Sequence, residues 1–276
     1  MAQAWVGTSG FSYPEWRPSF YPEKLPKEEF LEFYAARFTT VEIDSTFYRM
    51  PNTKKIDAWK AAAPEGFRFA IKASQRITHR EKLEVPSEAL PYLVKTVSRL
   101  EDRLGAVLFQ TPPTLRCDLV RLEKFLQELP AGFPSAFEFR HDSWLTDEVY
   151  ELLRHQNAGL VIHDADDHTT PLVVTARLSY LRLRKSAYSP SDLASWGERA
   201  RTWAAGGVDV YMYVKHEDNP DAPRIALDLA AAIRSVSASD AGRDAPALPE
   251  GRARPRAAAP RDRPSSSSSG RGRSQS

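Results

Sequence analysis

Ala136-Phe137-Glu138-Phe139-Arg140 is the stretch on which the fold of this chain turns. Side chains alternate faces along a strand, so residues two apart share a face. Phe137 and Phe139 then point one way and Glu138 and Arg140 the other. Helical spacing lies on either side, with Leu119, Leu122, Leu126 and Leu129 before it and Val149, Leu152 and Leu153 after it. A short strand between two amphipathic helices is the repeating unit of an α/β fold.

The unit recurs in both directions. Strand-like runs occupy Trp5–Thr8, Thr40–Asp44, Phe67–Lys72, Ala106–Gln110, Leu160–His163, Leu178–Leu183 and Val208–Lys215. Helical faces separate most of them: Phe30, Leu31, Tyr34 and Phe38 behind Pro26; Thr53–Ala63; and Leu90, Leu93, Val94, Val97 and Leu100. Leu193, Trp196, Ala200 and Trp203 form another, and Ile225, Leu229, Ala232 and Ile233 the last. Only Pro171–Thr175 breaks the rhythm, reading as a small extra strand where a helix is due. Eight strands and about seven helices within residues 1–235 are the size of a TIM-like (β/α)8 barrel with an irregular connection between strands six and seven. An open doubly wound sheet is the alternative. Gly7-Thr8-Ser9-Gly10 lacks the spacing of a dinucleotide or Walker loop, so closure is favoured.

The 276 residues are 42% hydrophobic, enough for a real core. From Ser235 onward eight arginines meet four acidic residues, leaving the rest near neutral. A whole-surface nucleic-acid footprint is not indicated. Residues 236–276, rich in Arg, Pro, Ser and Gly, read as a disordered tail, either a salt-sensitive nucleic-acid-binding arm or a solvated extension. The single Cys117 excludes an internal disulfide and suits a reducing, cytoplasmic setting; beside an apolar helical face it reads as filler more than nucleophile. Met1-Ala2-Gln3-Ala4-Trp5 has no basic region, so no signal peptide is expected. No apolar run approaches the roughly 20 residues of a membrane span.

Applied to every strand, alternation turns charge toward the barrel axis. Glu42 and Asp44 face inward on strand two, and Ala70 and Lys72 on strand three. Gln110, Glu138 with Arg140, Tyr180 with Arg182, and Tyr211, Tyr213 and Lys215 follow on later strands. Most of these lie late in their strands, the end where catalytic residues of such barrels sit. Buried charges must pair, meet water or meet a ligand. The set fits a phosphate or carboxylate site, with arginine forks for bidentate contact, or a self-neutralising network filling the lumen.

The loops after the strands add candidates. Gly10–Pro22 carries Phe11, Tyr13, Trp16, Phe20 and Tyr21, a lid or a hydrophobic plug. Ser74–Arg80 is basic and holds His79, an acid/base candidate or a solvated residue; Tyr48 is a ligand contact or a cap. His163-Asp164-Ala165-Asp166-Asp167-His168 has metal-ligand residue types crowded into one loop, which reads as a polar turn more than a metal site, although His216 and Glu217 could join it. No metal or other cofactor is called for.

Seven blocks, in order, carry a resemblance. They are Gly7-Thr8-Ser9-Gly10-Phe11, Phe20-Tyr21-Pro22, Val41-Glu42-Ile43-Asp44-Ser45-Thr46-Phe47-Tyr48, Phe67-Arg68-Phe69-Ala70-Ile71-Lys72, Ile77-Thr78-His79, Leu108-Phe109-Gln110-Thr111-Pro112-Pro113 and Glu138-Phe139-Arg140-His141-Asp142-Ser143-Trp144. The chain resembles the YecE-like family, domain of unknown function 72, from Trp5 to about Ile233. The resemblance implies a TIM-like barrel and no settled reaction. The family's recurring positions correspond to Glu42, Tyr48, Lys72, His79, Gln110, Glu138, Arg140, Trp144 and Arg182. The chain departs from it at Arg184-Lys185, where many members have His-Gly, and at Lys215-His216-Glu217-Asp218-Asn219.

The resulting expectation is an enzyme using acid–base chemistry, of hydrolase or isomerase type, on a small anionic molecule. Glu42 and Glu138 would be the catalytic pair, their environments splitting their proton affinities. Tyr48, Lys72, His79, Gln110, Arg140, Trp144, Arg182 and Lys215 would bind substrate. Metal-dependent nucleic-acid processing and a non-catalytic ligand-sensing barrel are the alternatives.

Overall fold

Eight parallel strands form one sheet in the order β1-β8-β7-β6-β5-β4-β3-β2. This computed structural model describes residues 2–215 and 220–234; the expected tail, 236–276, lies outside them, as do His216 and Glu217. The strands are β1 (Ala4–Thr8), β2 (Thr40–Ile43), β3 (Arg68–Lys72), β4 (Leu104–Gln110), β5 (Ser135–Glu138), β6 (Gly159–Asp164), β7 (Leu178–Leu183) and β8 (Asp209–Val214). The helices are α1 (Phe30–Ala35), α2 (Thr53–Ala62), α3 (Ala89–Val97), α4 (Leu119–Gln127), α5 (Asp147–His155), α6 (Pro190–Ala205) and α7 (Ala222–Arg234). Local chemistry starts several of them. Asn52 and Asp118 cap α2 and α4 by accepting from Lys55 N and Arg121 N, and α6 opens with a Ser189/Asp192 capping box before Pro190.

Ladders join every neighbouring pair except β1 and β2. That seam closes differently. Ser9 forms an isolated parallel bridge with Glu42, and Gly10 N donates to Glu42 O at 2.7 Å. Below it, α1 sends in the hydroxyl of Tyr34, which accepts from Thr8 N at 2.8 Å and donates to Thr40 O at 3.1 Å. One side chain thereby satisfies a donor and an acceptor that a ladder would have paired. The backbones come so close that a Cβ on Gly7 would stand 2.1 Å from Thr40 O.

The inner and outer faces are those set by alternation. Phe69, Phe109, Phe137 and Leu181 are buried in the layer between sheet and helices. The lumen holds a separate cluster in which Ala70, Ala106 and Ala136 leave space for Trp5, Tyr180, Tyr211 and Tyr213. Trp5 and Tyr211 stack at 4.8 Å near the N-terminal end. Small residues opposite large ones fill the barrel, so it is a packed core and not a pore. Charge begins above this plug.

Two local expectations change. Pro171–Thr175 forms no strand, because β6 already pairs on both edges, with β5 and β7. The segment is held by the Thr175 hydroxyl, which accepts from Leu160 N and donates to Ala158 O. The connection from β6 to β7 is irregular, as the pattern implied. Strands β2 and β5 also end at Ile43 and Glu138, so Asp44 and Arg140 stand just beyond them.

Candidate functional site

Register assembles the charged layer. Gln110 on β4 is opposite Glu138 on β5, and His163 on β6 is opposite Arg182 on β7. Gln110 Nε2 donates to Glu138 Oε1 at 2.8 Å, and His163 Nδ1 lies 3.3 Å from the same oxygen. Arg182 reaches both glutamates. Its Nε and Nη2 donate to Glu42 Oε2 and Oε1 at 3.0 and 2.7 Å, and Nη1 donates to Glu138 Oε2 at 2.7 Å. Tyr180 OH completes the Glu42 shell at 2.7 Å. Glu42, Gln110, Glu138, Tyr180 and Arg182 are all buried, and His163 is half-buried.

Burial alone would raise a carboxyl group's pKa, but opposite charge at hydrogen-bond distance lowers it. At Glu42 burial is outweighed by Arg182, Arg184 and Lys72, and the pKa falls from 4.5 to about 2. At Glu138 burial is likewise outweighed, by Arg182, the His163 hydrogen bond and Arg140, and the pKa lies well below 4.5. The expected split of the two proton affinities is therefore absent. Both glutamates are carboxylates at neutral pH, because one guanidinium serves both.

Above this layer lies a cavity of about 120 Å³ lined by Asp44, Tyr48, Lys72, Arg140, Arg182 and Arg184. Its walls are the C-terminal ends of β2, β3, β5 and β7 and the turns after them. Four cations stand against Asp44, with Glu42 and Glu138 behind Arg182. Lys72 is the unusual member. Among the described residues its Nζ has no hydrogen bond or ion pair, and it lies 4.4 Å from the centre of the Phe47 ring. Burial first, then Arg182, lowers its pKa from 10.5 to about 8, against the opposing pull of Glu42 and Glu138.

His79 rests on the same ring, 4.9 Å between centres. It belongs to a π-helical turn, Arg76–Arg80, and not to a solvated loop, and its Nδ1 is 2.9 Å from Thr78 Oγ1. Partial burial, then Lys72 and Arg140, lowers its pKa, so the imidazole is neutral at pH 7. Tyr48, 77% exposed, stands at the rim.

Other expected site residues lie elsewhere. Trp144 is fully buried, stacked on Phe139 at 4.5 Å and donating from Nε1 to Leu115 O, so it supports the turn that carries Arg140 and does not line the cavity. Lys215 is outside the cavity lining, its backbone N held by Leu183 O. Loop Gly10–Pro22 is a plug: Trp16 and Tyr21 are fully buried, and Tyr21 stacks on Phe30 at 4.0 Å. Asp164 is enclosed by Lys185, Tyr188 and Trp196. Among the described residues no three His, Cys, Asp or Glu side chains converge as metal ligands. No described helix is long and apolar enough to cross a membrane.

Sequence reasoning passed over His163, Tyr180 and Arg184 as site residues. Arg184 was within reach, because it is two residues from Arg182 and so shares its face. The links of Tyr180 and His163 to specific carboxylates depend on spacing across the barrel, which no local pattern carries.

Fold and site together define a β/α barrel with a cation-lined pocket at its C-terminal mouth. The chain belongs to the DUF72 family: residues 5–250 match the family described as "Protein of unknown function DUF72". It is 29% identical over 161 residues to the UPF0759 protein YunF of Bacillus subtilis, covering 53% of this chain and 54% of that protein. It is also 29% identical over 138 residues to the UPF0759 protein YecE of Escherichia coli K12, covering 50% and 48%. The chain thus spans about half the length of these curated relatives. A DUF72 family protein from Thermotoga maritima superposes with a TM-score of 0.73 at 26% identity, covering 84% of this chain and 99% of that one. One from Enterococcus faecalis shares the fold, with a TM-score of 0.63 at 20% identity, covering 85% and 98%.

Proposed function

We propose that this barrel is an enzyme that binds a small anionic molecule, a phosphate or carboxylate compound, at its C-terminal mouth and moves protons on it. The observation that carries the reading is the cavity in which Lys72, Arg140, Arg182 and Arg184 outnumber Asp44. Arg182 is committed to Glu42 and Glu138, and Lys72, Arg140 and Arg184 line the cavity beside it. Guanidinium groups suit the task because they present planar forks of donors to paired oxygens.

The two glutamates act as positioning residues in this scheme. They hold Arg182 rigid and stay ionised. Proton transfer falls to groups that titrate nearer neutrality, Lys72 and the neutral His79. Tyr48 and Asp44 supply orienting hydrogen bonds at the rim.

Isothermal titration with sulfate or inorganic phosphate tests the reading. Binding should weaken about ten- to a hundredfold in Arg140→Ala, the loss of a charge-assisted contact, while the melting temperature of the free protein changes little. Arg140 is 42% exposed, so its removal leaves no buried void. Absence of anion binding in the wild type, or binding indifferent to Arg140, would overturn it.

A further inference from the structure

Lys72 has the surroundings of a reactive amine. Lysine ammonium groups are normally paired or solvated, yet this one is half-buried beside Arg182 and against the Phe47 ring, with no carboxylate at ion-pair distance among the described residues. Lysines become nucleophilic when an apolar wall or a neighbouring cation disfavours their charge. Here both act on one amine. The same cavity supplies Arg140 and Arg184, which are placed to hold an oxyanion while another part of the molecule faces Lys72.

We propose that Lys72 forms a Schiff base with a small aldehyde or ketone that carries a phosphate or carboxylate group. The proposal rests on the anion site inferred above and names the substrate class it takes. The neutral Nζ attacks the carbonyl carbon; the C–N bond forms and the C=O π electrons pass to oxygen. The nitrogen gives up a proton, and the carbinolamine oxygen takes one up and leaves as water as the nitrogen lone pair closes C=N. Overall, an ammonium and a carbonyl compound become a protonated imine and water, with no oxidant or reductant. Asp44 and Tyr48 line the cavity, and His79 sits across Phe47 from Lys72. They are the groups to carry those protons.

A lysine titrating at about 8 instead of 10.5 holds about a hundredfold more free amine near pH 8. The test incubates the full chain at pH 8 with pyruvate, with glycolaldehyde phosphate or with uncharged acetone, reduces with borohydride and maps modified lysines by peptide mass spectrometry. The expected result is an adduct on Lys72 with both anionic probes, in clear excess over surface lysines such as Lys54 and suppressed by sulfate. Mapping in the wild type avoids dependence on a variant that fails to fold; in Lys72→Arg, which keeps the charge but lacks the primary amine, the adduct should disappear. If sulfate binds but the anionic probes label Lys72 no more than surface lysines, the Schiff base is wrong and the anion site stands. If sulfate does not bind either, both fall.

Discussion

Arg182 grips Glu42 with two nitrogens at once, Nε on Oε2 at 3.0 Å and Nη2 on Oε1 at 2.7 Å, and spends its remaining terminal nitrogen on Glu138. One cation thus compensates two buried carboxylates from strands on different sides of the barrel. Removing it leaves both without their main partner. Arg182→Met should cost about 3–5 kcal/mol in urea unfolding, the range for breaking a buried pair from one side. A loss no larger than that of a surface substitution would mean that water or other cations already carry the load.

The same contact sets an acid limb. The folded-state pKa of Glu42, about 2, is below its usual 4.5. As pH falls the unfolded chain takes up the proton first, so the contribution is complete above 4.5 and is lost as pH drops through about 2. Its size is on the order of 3 kcal/mol. Unfolding free energy plotted against pH should therefore be less steep between these values in Glu42→Gln than in the wild type. Parallel curves would contradict the assignment.

Anion binding should draw in protons. A negative charge beside Lys72 favours its ammonium form and raises its pKa from about 8. Sulfate binding at pH 8 should then be coupled to uptake of up to about half a proton, since half of the amine is free there. Titration calorimetry in buffers of different ionisation enthalpy reads this directly. Lys72→Met should lose the uptake; an unchanged value would place the titrating group elsewhere.

At the seam, Tyr34→Phe keeps the ring and removes the hydroxyl that joins Thr8 N to Thr40 O. Leaving buried polar groups unsatisfied costs about 1–3 kcal/mol, readable as a lower urea midpoint. Gly7→Ala should be worse, because its methyl meets backbone, not a side chain that can turn away. Equal stability of both variants and wild type would show that the seam contributes nothing.

Much of this was legible in the residues. The two-residue alternation around Phe137 and Phe139 placed Glu138 inward, and the same rule placed Glu42, Lys72 and Arg182. Alternation is local, and a strand's faces follow from it. What Arg182 touches depends on barrel diameter and stagger, so its hold on two glutamates was not readable, nor was its consequence that both have lowered pKa values. Trp144 misled for another reason: a recurring motif holds packing residues beside ligand-facing ones, and only burial tells them apart. Pro171–Thr175 has the composition of a strand but no free sheet edge to join.

The Tyr34 hydroxyl also leads to an expectation about the order of assembly. It joins residues 26 and 6 positions away along the chain, Thr8 and Thr40, whereas β1 must wait for β8, near residue 210, to form its other edge. Contacts between near neighbours cost less loop entropy than distant ones, and a chain emerging from the ribosome offers them first. Pulse-labelled hydrogen exchange during refolding should protect the Thr8 amide before that of Val210. The join that looks weakest in the finished barrel is then the first to be stitched, and the regular β1–β8 ladder is the last.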